Sequence, residues 1–134
     1  MDELDIVNAF VVPAKRERYV GFVSSPKARR KFIEALYHFR DFDPAVIVEL
    51  PPSLETRDGV LKELQRRGAG HTCYIVSADA ELDRTTSPLS DAVDRVFTLV
   101  EGTIISCVAG RLAYYEGEAP RNRFILHRKS RSAV

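Results

Sequence analysis

The sequence predicts a single α/β (α+β) domain over residues 1–134, in which a helical N-terminal lead precedes the order β-α-β-α-β-β-β. The length is sufficient for one domain with its own core. Two apolar strand-like runs flank a helix in the middle of the chain, which predicts parallel strands joined by a right-handed crossover. Three closely spaced strand-like runs follow and predict antiparallel pairing. We therefore expect one mixed sheet, parallel first and antiparallel later, with the helices packed on it.

The first part of the lead is expected to be helical. Residues 1–12 contain the pattern of a short helix around Leu4–Ala9, and Pro13 suits the first position of the helix that follows. Residues 14–24 are compatible with a helix or a strand. The spacing of their apolar side chains favours a helix, in which Gly21 is the weak point.

A second helix in the lead is predicted over residues 27–39. Ser25 is a typical N-cap and Pro26 a typical first helical residue. The apolar residues of this segment recur three and four positions apart, so one face is expected to lie in the core. The start of the helix is strongly basic, with the side chains of Lys27, Arg29, Arg30 and Lys31.

The middle of the chain predicts a strand, a helix and a second strand. Residues 43–52 form a β-branched apolar run with proline at both ends, which is typical of a strand buried on both faces. Residues 54–70 are amphipathic, and Gly68 is expected to end their helix. The run 71–78 is apolar throughout and predicts the second strand, parallel to the first.

The next segment, 79–97, is predicted to begin as an acidic loop and to continue as a helix that starts at Ser87 and Pro88. Asp79, Glu81 and Asp83 alternate in this loop as at the start of an EF-hand calcium loop. The later positions of that motif require glycine and a bidentate glutamate, and this chain has Arg84 and Ser90 there. The loop is therefore not an EF-hand.

Residues 102–118 predict a β-hairpin. Two strand-like runs of matching length flank Ala109 and Gly110, and a tight turn needs a residue with positive φ, which Gly110 supplies. Residues 122–128 predict a last antiparallel strand. The basic segment 129–134 is expected to be a flexible tail.

Composition excludes several classes of protein. No apolar run approaches the roughly 20 residues that span a bilayer, and the acidic N-terminus lacks the basic region of a signal peptide, so we expect a cytoplasmic protein with no membrane partner. The two cysteines, Cys73 and Cys107, are expected to be reduced and mostly buried. Their spacing predicts no zinc site, and no nucleotide-binding glycine motif is present, so neither a metal nor a cofactor is expected.

Charge is segregated along the chain. Residues 13–40 carry eight basic and two acidic side chains, whereas residues 41–118 carry seven basic and fourteen acidic ones. Such asymmetry is typical of a nucleic-acid or other charged partner, or simply of solvated surfaces. The basic helix start and the tail 129–134 are the surface that nucleic acid would contact.

A binding site is predicted where strand 72–77 ends. If strand 103–108 runs parallel to it, the hairpin turn lies beside the acidic loop, at the sheet edge where open α/β sheets bind ligands. We expect an Asp/Arg-lined pocket for a small polar or peptide group, without a tightly held metal. Its expected ligand-binding residues are Ser77, Asp79, Asp83, Gly110 and Arg111.

Three segments of the chain, "RERY…SPKARRKF", "RRGAGHTCYIVSAD" and above all "GTIISCVAGRLAYYEGE", resemble a family of small bacterial conserved proteins of unassigned function. The resemblance covers nearly the whole chain after Pro13. The family commonly has proline where this chain has Ala109, which affects only the shape of the turn. The resemblance implies a bacterial cytoplasmic protein and supplies no activity and no catalytic residues.

The residues leave three classes of function open. We favour a non-catalytic binding or regulatory domain for an unknown small polar ligand or protein partner. The alternatives are an enzyme with a carboxylate-lined cleft, hydrolytic or metal-assisted, and a nucleic-acid-binding protein, which is less favoured. A catalytic cysteine is disfavoured because His71 and Cys73 are separated by about 6–7 Å of strand rise. The oligomeric state is unknown.

Overall fold

The computed structural model describes residues 2–99, 101–118 and 123–128, and these form five α-helices and six strands. The helices and strands are α1 (Asp2–Phe10), α2 (Arg16–Val23), α3 (Pro26–Ala35), β1 (Ile47–Glu49), α4 (Arg57–Arg66), β2 (Thr72–Ser77), β3 (Thr85–Pro88), α5 (Leu89–Leu99), β4 (Thr103–Val108), β5 (Leu112–Glu116) and β6 (Arg123–His127). The predicted α+β class, with helices packed on a single sheet, is confirmed.

The sheet is antiparallel throughout the described residues. Its strand order is β1-β6-β5-β4-β2-β3, and each neighbouring pair is antiparallel. The predicted parallel half of a mixed sheet is therefore wrong. Strands β1 and β2 do run in the same direction, as their helical connection requires, but β6, β5 and β4 lie between them.

Strand β3 was not expected from the sequence. Residues 85–88 pair with β2, with Cys73 opposite Ser87, although Ser87 and Pro88 were predicted to start a helix. The helix begins at Leu89 instead. Because β3 reverses the chain before α5, strand β4 arrives antiparallel to β2.

The strand predicted over 43–52 is much shorter than expected and lies at the edge of the sheet. Asp43 accepts a hydrogen bond from the backbone N of Ala45 at 2.9 Å and caps a short 3₁₀ turn at Pro44–Val46. Extended pairing with β6 is then confined to Ile47–Glu49, whose side chains are half-buried or exposed. The prediction that this strand is buried on both faces is wrong.

The sheet lies between two helical layers. Helices α1, α2 and α3 pack on one face around Phe10, Phe32 and Tyr115, and α4 and α5 pack on the other around Leu64 and Tyr114. Tyr114 and Tyr115 are both fully buried, on opposite faces of the central strand β5. Both faces of the sheet are therefore core.

Local signals in the sequence are confirmed. Residues 16–23 are helical, and the Ser25 hydroxyl caps α3 by accepting a hydrogen bond from the backbone N of Ala28. Gly68, just after α4, has a φ of +111°, and Gly110 has a φ of +72° in the turn of the β4–β5 hairpin. The expected tail at 129–134 lies outside the described residues. In the part of the chain that is described, no helix has the length and apolarity needed to cross a membrane.

Candidate functional site

The residues of the predicted pocket lie at opposite ends of the sheet. In the antiparallel register of β2 and β4, Ser77 lies opposite Thr103 and Tyr74 lies opposite Ser106. The hairpin turn therefore follows the end of β4 that is farthest from the acidic loop. The expectation that Arg111 lies beside Asp79 is wrong, because the inserted strand β3 reverses the direction of β4.

At the acidic end, the predicted residues organise the loop after β2. The buried hydroxyl of Ser77 lies 2.8 Å from the hydroxyl of Thr103 and accepts a hydrogen bond from the backbone N of Asp79. Asp79 in turn accepts one from the backbone N of Glu81, and Asp83 accepts one from the backbone N of Ser77. These contacts fix the loop against the sheet.

Asp83 also belongs to a buried ion-pair network around Arg29. Arg29 donates to both carboxylate oxygens of Asp83, at 2.6 and 2.8 Å, and to both oxygens of Glu3, at 2.8 and 3.1 Å. Burial alone would lower the pKa of Arg29, but these hydrogen bonds outweigh burial and raise it. Because the side chain of Arg29 is only 8% exposed, it cannot contribute to the basic surface expected at 27–31.

A cleft of about 580 Å³ lies beside this network, against Glu3, Tyr74 and Arg84. The hydroxyl of Tyr74 donates to Glu3 at 2.8 Å, and burial together with this hydrogen bond raises the pKa of Tyr74 to about 12. Arg84, with a φ of +62°, lies 3.5 Å from the same carboxylate. The carboxylates of Glu3 and Asp83 balance the charges of Arg29 and Arg84. Every buried side-chain nitrogen and oxygen in the described residues has a hydrogen-bond partner. This network therefore locks α1, α3 and the acidic loop together.

The opposite end of the sheet has a more open and more charged cleft, of about 630 Å³. We call it the basic cleft and define it by its described lining residues, Ala9, Pro13, Arg16, Asp43, Ala45, Val46, Val48, Arg67, His127 and Arg128. Three arginines and a histidine come from three separate places in the chain, since His127 and Arg128 are adjacent. Among these lining residues, Asp43 alone carries a carboxylate.

Each arginine of the basic cleft is held by a specific contact. Arg67 donates from Nη1 to Nδ1 of His127 at 2.8 Å, and Arg16 donates from Nε to the carbonyl of Val11 at 2.9 Å. Arg128 donates to the carbonyl of Asn8 at 3.3 Å. A guanidinium group has five N–H donors, so these contacts orient each group and use only part of its donor capacity.

Arg67 is further oriented by Glu63, one turn earlier in α4. Its Nε donates to Glu63 at 2.8 Å. Hydrogen bonds from Arg66 and from Arg67, against the opposing effect of burial, lower the pKa of Glu63 to about 2. The side chain of Arg67 is 20% exposed, and that of Arg16 is 27% exposed, so both are half-buried in the wall of the cleft.

The basic cleft was not found from the sequence. The sequence assigned no binding role to Arg67 or Arg128, and it counted Arg16 only among the eight basic side chains of residues 13–40. The residues of the basic cleft are distant in sequence, and no regular spacing in the sequence marks them. They meet because β1 pairs with β6 and because α1 and the end of α4 lie beside these strands. Of the predicted residues, Arg111 lies at this end, where its carbonyl accepts a hydrogen bond from the backbone N of Arg128 at 2.8 Å. Its own side chain is exposed and does not line the cleft.

The carboxylates at the acidic end are dispersed. Glu101 accepts a short hydrogen bond from the hydroxyl of Tyr37, which is the largest cause of the raised pKa of that tyrosine. Glu118 pairs with exposed His38 at 2.7 Å. Within residues 2–99, 101–118 and 123–128, no three His, Cys, Asp or Glu side chains gather closely enough to hold a metal ion.

Fold and cavity together define the class of protein: an α+β domain with a six-stranded antiparallel sheet between two helical layers, and an arginine-rich cleft at one end of that sheet. Comparison with protein-family models, with curated protein sequences and with solved structures found no match in any of the three.

Proposed function

We propose that this protein is a non-catalytic binding domain and that the basic cleft holds a small anionic ligand. The observation that carries the proposal is the convergence of Arg16, Arg67 and Arg128, together with His127, on one cleft with a single carboxylate among its described lining residues. Arginine is the residue best suited to bind carboxylate and phosphate oxygens, because its guanidinium group forms paired hydrogen bonds with them.

The size and lining of the cleft suit a small organic anion. Its volume of about 630 Å³ lies within the roughly 300–1,000 Å³ typical of small-molecule sites. The arginines provide the polar contacts, and Ala9, Pro13, Val46 and Val48 provide apolar wall. The ligand that fits has an anionic group for the arginines and an organic body for the apolar side chains.

Preorganisation supports binding over a merely solvated patch. A flexible surface arginine loses side-chain entropy when it binds an anion, and this cost reduces affinity. Arg16 and Arg67 are already held by Val11 and His127, so less of that entropy remains to be lost. The lining residues come from α1, α2, β1 and β6 and from the turns that adjoin helices and strands.

The test is calorimetric titration with three probe anions, orthophosphate, citrate and phenyl phosphate, at constant ionic strength with chloride as the reference. We expect saturable one-to-one binding that weakens about tenfold in Arg16→Gln and in Arg67→Gln, since a charged hydrogen bond contributes about 1.5 kcal/mol or more. Arg111→Gln is the matched control, because it removes an exposed arginine at the same end of the sheet from outside the cleft. Thermal melts establish that each variant is folded.

Two results would overturn the proposal. One is an absence of saturable binding by all three anions. The other is equal weakening by Arg111→Gln, which would indicate a general charge effect at this end of the sheet. Nucleic-acid binding that depends on Lys27, Arg30 and Lys31 would instead favour the nucleic-acid alternative, since these three side chains are exposed on α3.

A further inference from the structure

The two cysteines lie on neighbouring strands, at corresponding positions. Strands β2 and β4 pair from Ser77 opposite Thr103 to Tyr74 opposite Ser106. The paired positions end at Tyr74 and Ser106, and the next residue along each strand is a cysteine, Cys73 on β2 and Cys107 on β4. The sequence separates these residues widely, and the antiparallel pairing brings them together.

The hydrogen-bond pattern shows which kind of pair they form. The backbone N of Ala78 donates to the carbonyl of Gly102 at 2.9 Å, which makes 78 and 102 a hydrogen-bonded pair. Hydrogen-bonded and non-hydrogen-bonded pairs alternate along an antiparallel ladder. Positions 77 and 103, and then 75 and 105, are therefore non-hydrogen-bonded pairs. In the same alternation, 73 and 107 are the next positions of this kind. In such pairs the Cα atoms are about 4.5 Å apart and the side chains are closest, which lies within the roughly 4.4–6.8 Å range of Cα separations in disulfides.

The two preceding non-hydrogen-bonded pairs, Ser77 with Thr103 and Ile75 with Ile105, have side chains that lie side by side. The hydroxyls of Ser77 and Thr103 are 2.8 Å apart. Ile75 and Ile105 are both fully buried in the core beneath α4 and α5. Cys73 belongs to the same core, and Cys107 packs against it. The two thiols thus share one face of the sheet.

A small pocket of about 180 Å³ lies beside both cysteines. The described residues that line it are Thr72, Cys73, Tyr74, Thr86, Ser106, Cys107 and Ala109, and none of them carries a formal charge. Cys107 is half-buried, whereas Cys73 is buried and donates a weak hydrogen bond to the carbonyl of Ser87 at 3.5 Å. Cys107 is also the extra residue where β4 shifts register against β5 between Ser106 and Val108. The pairing of β4 with β2 ends at Ser106, at the start of the same irregularity.

We propose that Cys73 and Cys107 form a cross-strand thiol pair that closes to an intramolecular disulfide by exchange with a low-molecular-weight disulfide. The inference rests on the register of β2 and β4 and is independent of the basic cleft. A site lined by uncharged residues favours this product, because a disulfide is uncharged, whereas a monovalent soft metal ion held by two thiolates would leave a buried negative charge. Both thiols are free in the structure.

The reaction balances in two exchange steps. The thiolate of Cys107, the residue that is only half-buried, attacks one sulfur of the small disulfide, whose other half leaves as a thiolate and takes up a proton. The thiolate of Cys73 then attacks the Cys107 sulfur of the mixed disulfide, and the second small thiol leaves. The protein loses two protons and two electrons, and the small disulfide is reduced to two thiols.

The experiment incubates the folded protein with oxidised glutathione, stops the reaction with acid, alkylates remaining thiols in denaturant and measures intact mass and peptide masses. We expect the wild type to lose two hydrogen masses and both alkylation sites, with a peptide that links Cys73 to Cys107. Cys73→Ser should stop at the mixed disulfide on Cys107. Cys107→Ser should react at least several-fold more slowly than Cys73→Ser.

Persistence of the mixed disulfide in the wild type would overturn the proposal, because it would mean that Cys73 cannot reach Cys107. So would a disulfide that links two copies of the chain, or a linked peptide that appears only when the protein is unfolded in urea. A failure here would leave anion binding by the basic cleft unaffected, since the two experiments share no residue.

Discussion

Arg29 and Asp83 form a two-point ion pair inside the protein, with nitrogen–oxygen distances of 2.6 and 2.8 Å. The same guanidinium group also pairs with Glu3, so a single side chain joins α1, α3 and the loop after β2. Its immediate neighbour in sequence, Arg30, is exposed. The chain therefore provides its own matched comparison between a buried and a surface arginine.

Replacing Arg29 with Met should destabilise the fold strongly. The change leaves the carboxylates of Glu3 and Asp83 without their main cationic partner, and breaking a buried pair in this way costs about 3–5 kcal/mol. Arg30→Met, at an exposed position, should change stability by no more than about 0.5 kcal/mol. Urea unfolding at neutral pH measures both. Similar midpoints for the two variants would contradict a structural role for the network.

The glycine in the hairpin turn is expected to resist substitution. Gly110 has a φ of +72°, and no atom lies within 4 Å of the position that a Cβ would occupy, so the cost of Gly110→Ala comes from the backbone alone. We expect a loss of about 1 kcal/mol. Gly21 is the control, since it lies in helix α2 with equally open space and no positive φ. Gly21→Ala should stabilise the protein by about 1 kcal/mol. Thermal melts measure both variants, and melting temperatures that change in the same direction for Gly110→Ala and Gly21→Ala would refute the turn geometry.

Glu116 should increase the stability of the wild type, compared with the Glu116→Gln variant, as the solution becomes mildly acidic. Burial raises its pKa, although hydrogen bonds from Tyr114 and Arg123 oppose the shift. The folded state therefore holds this proton to a higher pH than the unfolded chain does, where the ordinary value is 4.5. Relative to Glu116→Gln, the wild type should gain stability as the pH falls from 7 toward 4.5. Urea unfolding of both proteins at several pH values tests this, and a wild type that loses stability relative to Glu116→Gln as the pH falls would contradict it.

Glu63 should behave in the opposite way. Its pKa is lowered to about 2 by hydrogen bonds from Arg66 and Arg67, so its contribution is present above the ordinary value of 4.5 and is lost as the pH falls toward 2. The stability difference between wild type and Glu63→Gln should therefore be constant near neutrality and should disappear in acid. Added salt should reduce it, because Arg66 is largely exposed. A difference that is independent of pH would exclude the ion pairs as its source.

The thiols should react slowly with alkylating reagents in the folded protein. Burial raises the pKa of Cys73 to about 12, and burial also raises that of Cys107, with a smaller contribution from Cys73. Since the thiolate is the nucleophile, both cysteines should be labelled far more slowly than in urea, and Cys107 should precede Cys73 because it is half-buried. Mass spectrometry of a labelling time course follows both sites. Rapid labelling of both under native conditions would be incompatible with this environment.

Local structure was predictable from the sequence because its signals act over a few residues. The cap at Ser25, the turn at Gly110 and the helical lead follow from such signals, and the structure contains all three. The direction of the strands was not predictable in the same way. Residues 85–88 read Thr-Thr-Ser-Pro, without apolar alternation, and form an edge strand that only pairing with β2 creates.

One missed strand then changed the expected site. Each added strand in a meander reverses the chain, so overlooking β3 reversed the expected direction of β4 and moved the hairpin turn to the wrong end of the sheet. The sequence predicted that Arg111 lies beside the acidic loop, whereas the arginine that binds this loop is Arg29, through Asp83. The basic cleft depends on contacts between residues such as Arg16 and Arg67 that are distant in sequence, and no local pattern marks such contacts.

The pairing of β1 with β6 has a consequence for how the protein folds. The first strand of the chain has the last described strand as its hydrogen-bonded neighbour. Closing so long a loop costs conformational entropy before the pair contributes any stability, so contacts of this kind form slowly. The β4–β5 hairpin, by contrast, requires only a tight turn. We expect the hairpin to form early and β1 to join the sheet late, which makes the basic cleft, whose wall includes β1, among the last parts of the molecule to be completed.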